Sequence, residues 1–201
     1  MPALLDWAMR QERLLDGRRR LVPKAHGRVL EIGVGSGRNL PFYAGEASVV
    51  VGLDPSEPLL RMARRQAAAA AVPAFLVEGS ASALPLPAAS VDAAIMTWTL
   101  CSIAEPLQAL VELRRVLKPA AELFFLEHGL SPDPRLALWQ RRLSPWWRPL
   151  AGGCHLDRNP EALLREAGFE ILELGHFTIR GPRLLTYMSE GRARPTLSVN
   201  D

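Results

Sequence analysis

Short apolar runs alternate along the chain with segments in which apolar residues recur at every third or fourth position. The runs predict five strands, at residues 28–32, 48–53, 74–78, 91–97 and 122–126. The second run, around Val49-Val50-Val51, is apolar throughout and is therefore expected to be buried on both faces. Helices are predicted between the strands, at 38–43, from Ser56 to just before Pro73, and from Pro106 to Leu117. This alternation is typical of a doubly wound parallel sheet.

The pattern changes on both sides of this core. An amphipathic helix is predicted over residues 3–22, broken or ended at Gly17, with apolar positions Leu4, Leu5, Met9, Leu14 and Leu15. Residues 131–153 are rich in Pro, Trp and Arg and predict a short helix and a lid. A helix from Asn159-Pro160 to Gly168 is expected next, then a β-hairpin over 169–179 and 184–188.

Together these segments predict a single α/β domain with a seven-stranded, mostly parallel sheet that ends in the C-terminal hairpin. A length of 201 residues is enough for one such domain with a full core. Its predicted parts are an N-terminal helical cover (1–26), a cofactor-binding core (27–128), a lid that contacts substrate (129–158), a C-terminal helix and hairpin (159–190) and a loose tail (191–201).

Composition narrows the function classes. The 24 basic and 21 acidic residues leave a net charge of +3, too small to indicate a nucleic-acid partner. Cys101 and Cys154 form neither a metal-ligand spacing nor a disulfide framework, which fits a reducing, cytoplasmic location without a metal. No signal peptide is expected, and no apolar stretch approaches the roughly 20 residues of a membrane span.

The first predicted strand runs into a glycine-rich turn, Glu31-x-Gly33-x-Gly35-x-Gly37. Glycines allow positive φ and let a ligand approach the main chain closely. In the Gly-x-Gly-x-x-Gly turn of dinucleotide-binding proteins, the third glycine would fall at Arg38, so the spacing here is different. The turn predicts a ligand site at the end of this strand, and a glycine turn with no cofactor role is the alternative.

Several polar or small residues directly follow the predicted strands: Gly33, Asp54, Ser80, Thr97 and His128. Because ligands of doubly wound sheets bind at the carboxyl ends of the strands, we expect these residues to converge on one crevice. Asp54 lies about twenty residues beyond the glycine turn, where a carboxylate can accept hydrogen bonds from the two hydroxyls of a ribose. A turn or cap residue before Pro55 is its simpler role.

The Glu31 to Gly37 turn resembles the first motif of the class I methyltransferases that use S-adenosylmethionine (SAM). Ser90-Val91-Asp92 and the Leu113 to Pro119 segment are similar to a large group of quinone and small-molecule methyltransferases. This resemblance implies a Rossmann-like fold and SAM bound by Glu31, Gly33, Gly35, Gly37, Asp54, Pro55, Ser80, Ala81 and Thr97. Two departures are Ser80, where many members have an Asp for the adenine, and Pro119-Ala120-Ala121, where two glycines usually follow the proline.

Motifs in the C-terminal part look like those of small thiol methyltransferases associated with animal membranes. They are Thr99-Leu100-Cys101-Ser102, Leu126-Glu127-His128, Trp139-Gln140, Gly153 to Arg158 and Ala167-Gly168-Phe169. That resemblance implies methylation of small, lipophilic thiols. The family usually has an N-terminal membrane anchor, which we do not expect here.

Methyl transfer to a thiol benefits from a base, and His128 is the first candidate, with His155 second. A purely structural histidine is the alternative for each. Cys101 is expected to line the pocket rather than act covalently, because direct transfer needs no protein nucleophile. Trp98, Trp139, Trp146 and Trp147 are expected to form the apolar pocket or lid. The Trp146-Trp147-Arg148 segment could instead rest on a membrane surface.

We therefore expect SAM-dependent methyl transfer to a small, largely apolar acceptor, most directly a thiol. Open alternatives are an N-, O- or C-methyltransferase acting on a phospholipid amine, a phenol or a quinone, and a SAM-binding protein without catalysis. The expected partner is a small-molecule substrate, with peripheral membrane contact as a further possibility.

Overall fold

The computed structural model describes residues 12–196. Its helices are α1 (Glu12–Leu21), α2 (Glu57–Ala69), α3 (Pro106–Val116), α4 (Pro134–Trp147) and α5 (Pro160–Glu166). Its strands are β1 (Gly27–Ile32), β2 (Ala47–Asp54), β3 (Ala74–Glu78), β4 (Val91–Thr97), β5 (Leu117–His128), β6 (Phe169–Thr178) and β7 (Tyr187–Pro195). Single turns of 3₁₀ helix lie at Val22–Lys24, Leu40–Phe42 and Arg183–Leu185.

The strands form one sheet in the order β3-β2-β1-β4-β5-β7-β6. Strands β1 to β5 pair in parallel, and β7 is antiparallel to both of its neighbours, β5 and β6. The predicted seven-stranded, mostly parallel sheet with a C-terminal hairpin is therefore confirmed. The strand order reverses between β1 and β4, which opens a crevice at the carboxyl ends of these two strands.

The sheet is buried on both faces, as its apolar strands require. In β5, Leu123 and Phe125 pack with Leu113 of α3 on one face. The alternate residues Phe124 and Leu126 pack on the other face, in the same cluster as Leu60 of α2. Because successive side chains of a strand point to opposite faces, this run of apolar residues supplies both cores.

The predicted helix at 38–43 is wrong. Only the 3₁₀ turn Leu40–Phe42 forms there, and Tyr43 is already extended at φ −69° and ψ 127°. Pro41 explains the difference, because it has no N–H to donate and disfavours the α conformation of the residue before it.

The predicted hairpin boundary and loose tail are also wrong. Leu184 lies in a 3₁₀ turn rather than in a strand, and β7 continues to Pro195. Ala193 is wholly buried opposite Leu123 of β5, so the segment forms the interior of the sheet. Arginines on either side of Ala193 made this strand look like a polar tail. The tail residues 197–201 lie outside the described residues.

At the N-terminus, α1 runs through Gly17 without a break. A Cβ at Gly17 would lie 2.5 Å from Cδ2 of Leu126, so this glycine lets α1 approach β5 closely. Leu14 of the predicted apolar face is buried. Leu15, the other described position of that face, is half-buried, and Leu4, Leu5 and Met9 lie outside the described residues.

The segment predicted to be a short helix and a lid begins with a helix of 14 residues, α4. Asp133 caps it by accepting hydrogen bonds from the N–H groups of Arg135 and Leu136. Gly152 and Gly153, at φ 62° and 90°, then turn the chain back toward the sheet. That the segment moves as a lid stays a prediction. Within residues 12–196, no helix combines the length and apolar character needed to cross a membrane.

Gly191 tests the corrected boundary of β7, because a Cβ there would overlap the carbonyl of Glu173 in β6 and lie 2.9 Å from Cζ of Phe125. We expect Gly191→Ala to lower the free energy of unfolding by about 1–3 kcal/mol, measured by urea denaturation. Gly175→Ala is the matched control, since a Cβ at this β6 glycine meets only ordinary contacts at 3.8 Å or more. Equal effects of the two substitutions would contradict the placement of Gly191 inside the sheet.

Candidate active site

A cavity of about 900 Å³ lies at the carboxyl ends of the strands. Residues at the ends of β1, β2, β4 and β5 and in the loop after β3 form one side. The turn after α4 and the segment between β6 and β7 form the other. The predicted convergence of strand ends on one crevice is thus observed: Gly33, Asp54, Ser80, Thr97 and His128 all line this cavity.

The residues predicted to hold the cofactor lie together, with one exception. Those that line the cavity are Glu31, Gly33, Gly35, Asp54, Pro55, Ser80, Ala81 and Thr97. Gly37 does not line it. Gly37 has a φ of 80°, and a Cβ there would lie 3.1 Å from the Cα of Ala63 in α2. Its lack of a side chain therefore lets the turn pack closely against α2.

The glycine turn presents its main chain to the cavity. Gly33 and Gly35 have φ values of 72° and 54°, which favour glycine. A Cβ at Gly33 would overlap the side chain of Thr99, whereas a Cβ at Gly35 would meet nothing closer than 3.9 Å. The space above Gly35 is therefore open to a ligand, and Gly33 allows close approach of the loop after β4.

Asp54 ends β2 with its carboxylate held in a fixed orientation. Its Oδ2 accepts a hydrogen bond from the N–H of Gly35 at 3.0 Å, and its Oδ1 accepts one from Ser56 at 2.9 Å. Burial raises the pKa of Asp54, and these two hydrogen bonds oppose that rise. Each carboxylate oxygen has further capacity to accept, so Asp54 can receive hydroxyl groups from a ligand.

Glu31 lies at the base of the cavity and organises a polar network that the sequence did not reveal. Its carboxylate accepts hydrogen bonds from Tyr43 Oη at 2.7 Å and from Asn39 Nδ2 at 2.9 Å. The same Asn39 nitrogen is 3.0 Å from Thr97 Oγ1, and Asn39 Oδ1 accepts from Arg18 at 2.9 Å. Burial raises the pKa of Glu31 to about 7, although these hydrogen bonds and Arg18 oppose the rise. The network fixes the ends of β1 and β4 relative to each other.

The hydroxyl of Ser80, one of the residues predicted to hold the cofactor, is used locally. Ser80 Oγ accepts a hydrogen bond from the N–H of Ser82 at 3.2 Å, which stabilises the turn after β3. Ser80 and Ala81 both line the cavity near Asp54. The Ser80 hydroxyl therefore stabilises the turn. The main chain of Ala81 is a second polar group that lines the cavity beside it.

Glu127, fully buried at the end of β5, holds the loop after β4. Its carboxylate accepts hydrogen bonds from the N–H groups of Thr99 at 3.0 Å and Leu100 at 3.1 Å. Burial raises its pKa well above the ordinary range, and the Cys101 thiol adds to that rise. Trp98 has a positive φ of 52°, which is unusual for a bulky residue. Its main-chain N–H donates to the carbonyl of Leu126 at 2.8 Å. The loop thus presents Trp98, Thr99 and Cys101 to the cavity.

His128 lines the cavity with its ring almost wholly buried. Its ring nitrogens form no hydrogen bond of good geometry within residues 12–196, although the Leu184 main chain lies close enough to interact with the ring. Burial lowers the pKa of His128, and the Cys101 thiol and the Leu184 main chain oppose this only in part. The ring is therefore neutral at pH 7 and able to accept a proton or a hydrogen bond from a ligand.

Two thiols lie side by side in the cavity wall, those of Cys101 and Cys154. The hydrogen bond between them and burial both raise the pKa of Cys101. The same hydrogen bond lowers the pKa of Cys154, and burial opposes that lowering. The N–H of His155 donates to the Cys101 carbonyl at 2.8 Å, and Arg158 donates to the carbonyls of Leu100 and Ile103 at 2.6 Å each. These bonds tie the turn after α4 to the loop after β4.

Only some of the residues predicted to bind substrate line the cavity. Trp98, Cys101, His128 and Trp147 line the cavity. Trp139, Trp146 and His155 do not, and the two tryptophans are 51% and 77% exposed on α4. Positions 139 and 146 are seven apart, so they share the outer face of the helix, whereas Trp147 lies one position further round. In the described part of the chain, no cluster of three His, Cys, Asp or Glu side chains is arranged to hold a metal ion.

Comparison with known proteins identifies relatives of this architecture. Residues 30–125 match the methyltransferase domain family. Thiol S-methyltransferase TMT1B of Rattus norvegicus is 35% identical over 150 residues, which are 73% of this chain and 61% of the relative. A demethylmenaquinone methyltransferase of Thermus thermophilus is 34% identical over 133 residues, 65% of this chain and 60% of the relative. The chain thus spans about three fifths of the length of these relatives.

The solved structure of the YcgJ protein from Bacillus subtilis has the same fold, with a TM-score of 0.71. It is 14% identical, and the similarity covers 90% of this chain and 97% of that one.

Glu31 gives a pH test of the buried network. The folded state holds its proton up to a pKa of about 7, above the ordinary 4.5, so its ionisation destabilises the fold as the pH rises between these values. The full cost is about 3 kcal/mol. We expect the free energy of unfolding of Glu31→Gln, relative to the wild type, to increase by about this amount between pH 4.5 and 7. Above pH 7 the difference should stay constant.

Urea denaturation at a series of pH values measures this difference. Glu166→Gln, an exposed position on α5, controls for the general effect of removing a carboxylate. A Glu31→Gln difference that does not change with pH would contradict the buried, protonatable Glu31.

Proposed function

The chain belongs to the class I SAM-dependent methyltransferases, and from this premise we propose that it transfers the methyl group of SAM to a small, largely apolar thiol. The observation that carries the proposal is one cavity in which the cofactor motif and a buried, neutral histidine face the same space. The largely apolar walls of this cavity suit a lipophilic acceptor. The similarity to thiol S-methyltransferase TMT1B supports a thiol as the acceptor.

In this proposal the cofactor lies along the ends of β1, β2 and β3. The Asp54 carboxylate, oriented by Gly35 and Ser56, receives the ribose hydroxyls. The open main chain at Gly35 accommodates the amino-acid part of SAM, and Ala81 offers its main chain to the adenine. Glu31 fixes Asn39 and Thr97 through its hydrogen bonds. Because its carboxylate also lines the cavity and each oxygen can accept a second donor, it is available to the cofactor as well.

The acceptor then lies between Trp98, Cys101, His128 and Trp147. SAM supplies an activated methyl group, so the protein has to position a nucleophile in line and exclude water. A thiol held at His128 gives its proton to the neutral ring nitrogen. The sulfur then uses its electron pair to bond the methyl carbon, and the old carbon–sulfur bond breaks to leave S-adenosylhomocysteine. No protein nucleophile is needed, so Cys101 acts as part of the wall.

Methylation of a quinone ring carbon is the second candidate, because the demethylmenaquinone methyltransferase similarity covers much of the same core. The apolar cavity would also suit a quinone. The two candidates differ in the atom that attacks, so transfer of labelled methyl groups to thiols or to demethylated quinones separates them.

Asp54 tests the cofactor half of the site. We expect Asp54→Ala to weaken SAM binding by about 1–3 kcal/mol, as measured by isothermal titration calorimetry, because charge-assisted hydrogen bonds are lost. Asp16→Ala should bind SAM normally, since Asp16 is an exposed carboxylate of α1 that pairs with Arg19. Circular dichroism confirms that each variant is folded. Unchanged SAM affinity in a folded Asp54→Ala protein would contradict the proposal that Asp54 binds the ribose.

His128 tests the acceptor half. With His128 as base, kcat/KM should already be on a plateau at neutral pH, because its lowered pKa keeps the ring neutral there. His128→Ala should lower kcat about 10²–10⁴-fold at neutral pH. The remaining rate should rise with pH toward the acceptor's own pKa, near 8.5 for a simple thiol.

The measurement is kcat/KM against pH for two thiols of different pKa, with the exposed His26→Ala as the control variant. Identical profiles in the wild type and His128→Ala would remove His128 from the mechanism. Methyl transfer to quinones or amines, but to no thiol, would contradict the proposal that the acceptor is a thiol.

A further inference from the structure

Exposed large apolar side chains are concentrated on one element. Five of those in the described part lie between residues 138 and 150, on α4 and the turn after it: Leu138, Trp139, Leu143, Trp146 and Leu150. Trp146 and Leu150 are the most exposed of the five, at 77% and 69%. The other exposed large apolar residues there, Phe75, Val111 and Leu174, lie on different elements. We call the five residues of the 138–150 segment the α4 stripe.

Within α4, Trp139, Leu143 and Trp146 recur at intervals of four and three residues, and Leu150 follows in the turn after the helix. On the opposite face the buried residues are one small apolar residue, Ala137, and two polar ones, Gln140 and Ser144. Gln140 is wholly buried and donates to the carbonyls of Gly129 and Leu184, at 3.3 and 2.9 Å. Ser144 is also buried and donates to Asp157 at 2.6 Å. This helix therefore attaches to the protein mainly through polar groups and presents its large apolar residues outward, the reverse of an ordinary surface helix.

The charged residues within the 134–150 segment have one sign. Residues 134–150 contain four arginines and no acidic residue, and all four arginines are exposed: Arg135, Arg141, Arg142 and Arg148. The guanidinium of Arg142 lies 5.7 Å from the ring centroid of Trp139. Two like-charged copies of this surface would repel each other, which argues against self-association. An apolar stripe with tryptophans and flanking arginines matches the boundary between anionic headgroups and acyl chains.

The α4 stripe also borders the cavity. Trp147, Ala151 and Gly152 line the cavity, and each is within two residues of Trp146 or Leu150 in the chain. A surface held by Trp146 and Leu150 would therefore place this wall of the cavity next to the bilayer.

We propose that α4 and the turn after it dock on an anionic lipid bilayer. Trp139, Trp146 and Leu150 enter the headgroup boundary, and the flanking arginines contact lipid phosphates. This is binding in the plane of the surface by an exposed helix, and it depends on neither methyl transfer nor the identity of the acceptor.

Vesicle sedimentation with the full chain tests this proposal, using phosphatidylcholine vesicles with and without phosphatidylglycerol. We expect the wild type to sediment with the anionic vesicles and to be released by high salt, because arginine–phosphate attraction is screened. Trp146→Glu/Leu150→Glu should reduce the partition coefficient by about tenfold or more, since both anchors are lost and negative charge is added. Phe75→Glu is the matched control, because Phe75 is 64% exposed on β3, outside the stripe, and should leave binding unchanged.

SAM affinity of each variant, measured in the absence of lipid, shows that the cavity remains intact. Failure of the wild type to bind anionic vesicles would overturn the proposal. Equal loss of binding in Phe75→Glu and in the double variant would also overturn it, because the stripe would then have no specific role. Concentration-dependent dimerisation in analytical ultracentrifugation, abolished by the double variant, would assign the stripe to a second copy of the chain instead.

Discussion

The end of β4 is held from both sides by buried carboxylates, and the rest of the site depends on this arrangement. On one side, Glu31 fixes Asn39, which bonds the hydroxyl of Thr97. On the other, Glu127 receives the N–H groups of Thr99 and Leu100. Between them, Trp98 is kept at a positive φ that costs about 1–3 kcal/mol for a non-glycine residue. Burial penalises both carboxylates, so the fold maintains them only because several donors converge on each.

The same arrangement divides the cavity. The Glu31 network and Asp54 define the half next to the glycine turn, whereas Glu127 positions the loop that faces His128. The sequence predicted Asp54, Ser80, Thr97 and His128 because strand ends of a parallel sheet meet at one edge whatever the side-chain details. It could not predict Asn39, Tyr43 or Arg18, since their roles come from partners far apart in the chain. Glu127 is part of the Leu126-Glu127-His128 motif, but only the structure shows that it accepts hydrogen bonds from main-chain N–H groups.

The errors at the sequence level also have physical causes. Pro41 reduced a predicted helix to one 3₁₀ turn, and two arginines hid the buried alternation of β7 around Ala193. The sequence predicts one shared role, in the pocket or lid, for the tryptophans of α4, but helix phase separates Trp147 from Trp139 and Trp146. The usual rule that large apolar positions face the core fails for this helix, because its buried residues are Ala137, Gln140 and Ser144. Apolar residues can be counted from a sequence, but the face that a helix buries depends on what it packs against.

A crystal structure of the protein with S-adenosylhomocysteine tests the central claim most directly, namely that one cavity joins a cofactor half to an acceptor half. We expect the ribose hydroxyls within hydrogen-bond distance of the Asp54 carboxylate. We also expect the thioether sulfur to face the space bounded by Trp98, Cys101 and His128, with the Glu31 and Glu127 contacts unchanged. A nucleoside bound away from Asp54, or a sulfur directed away from His128, would contradict the proposed division of the cavity.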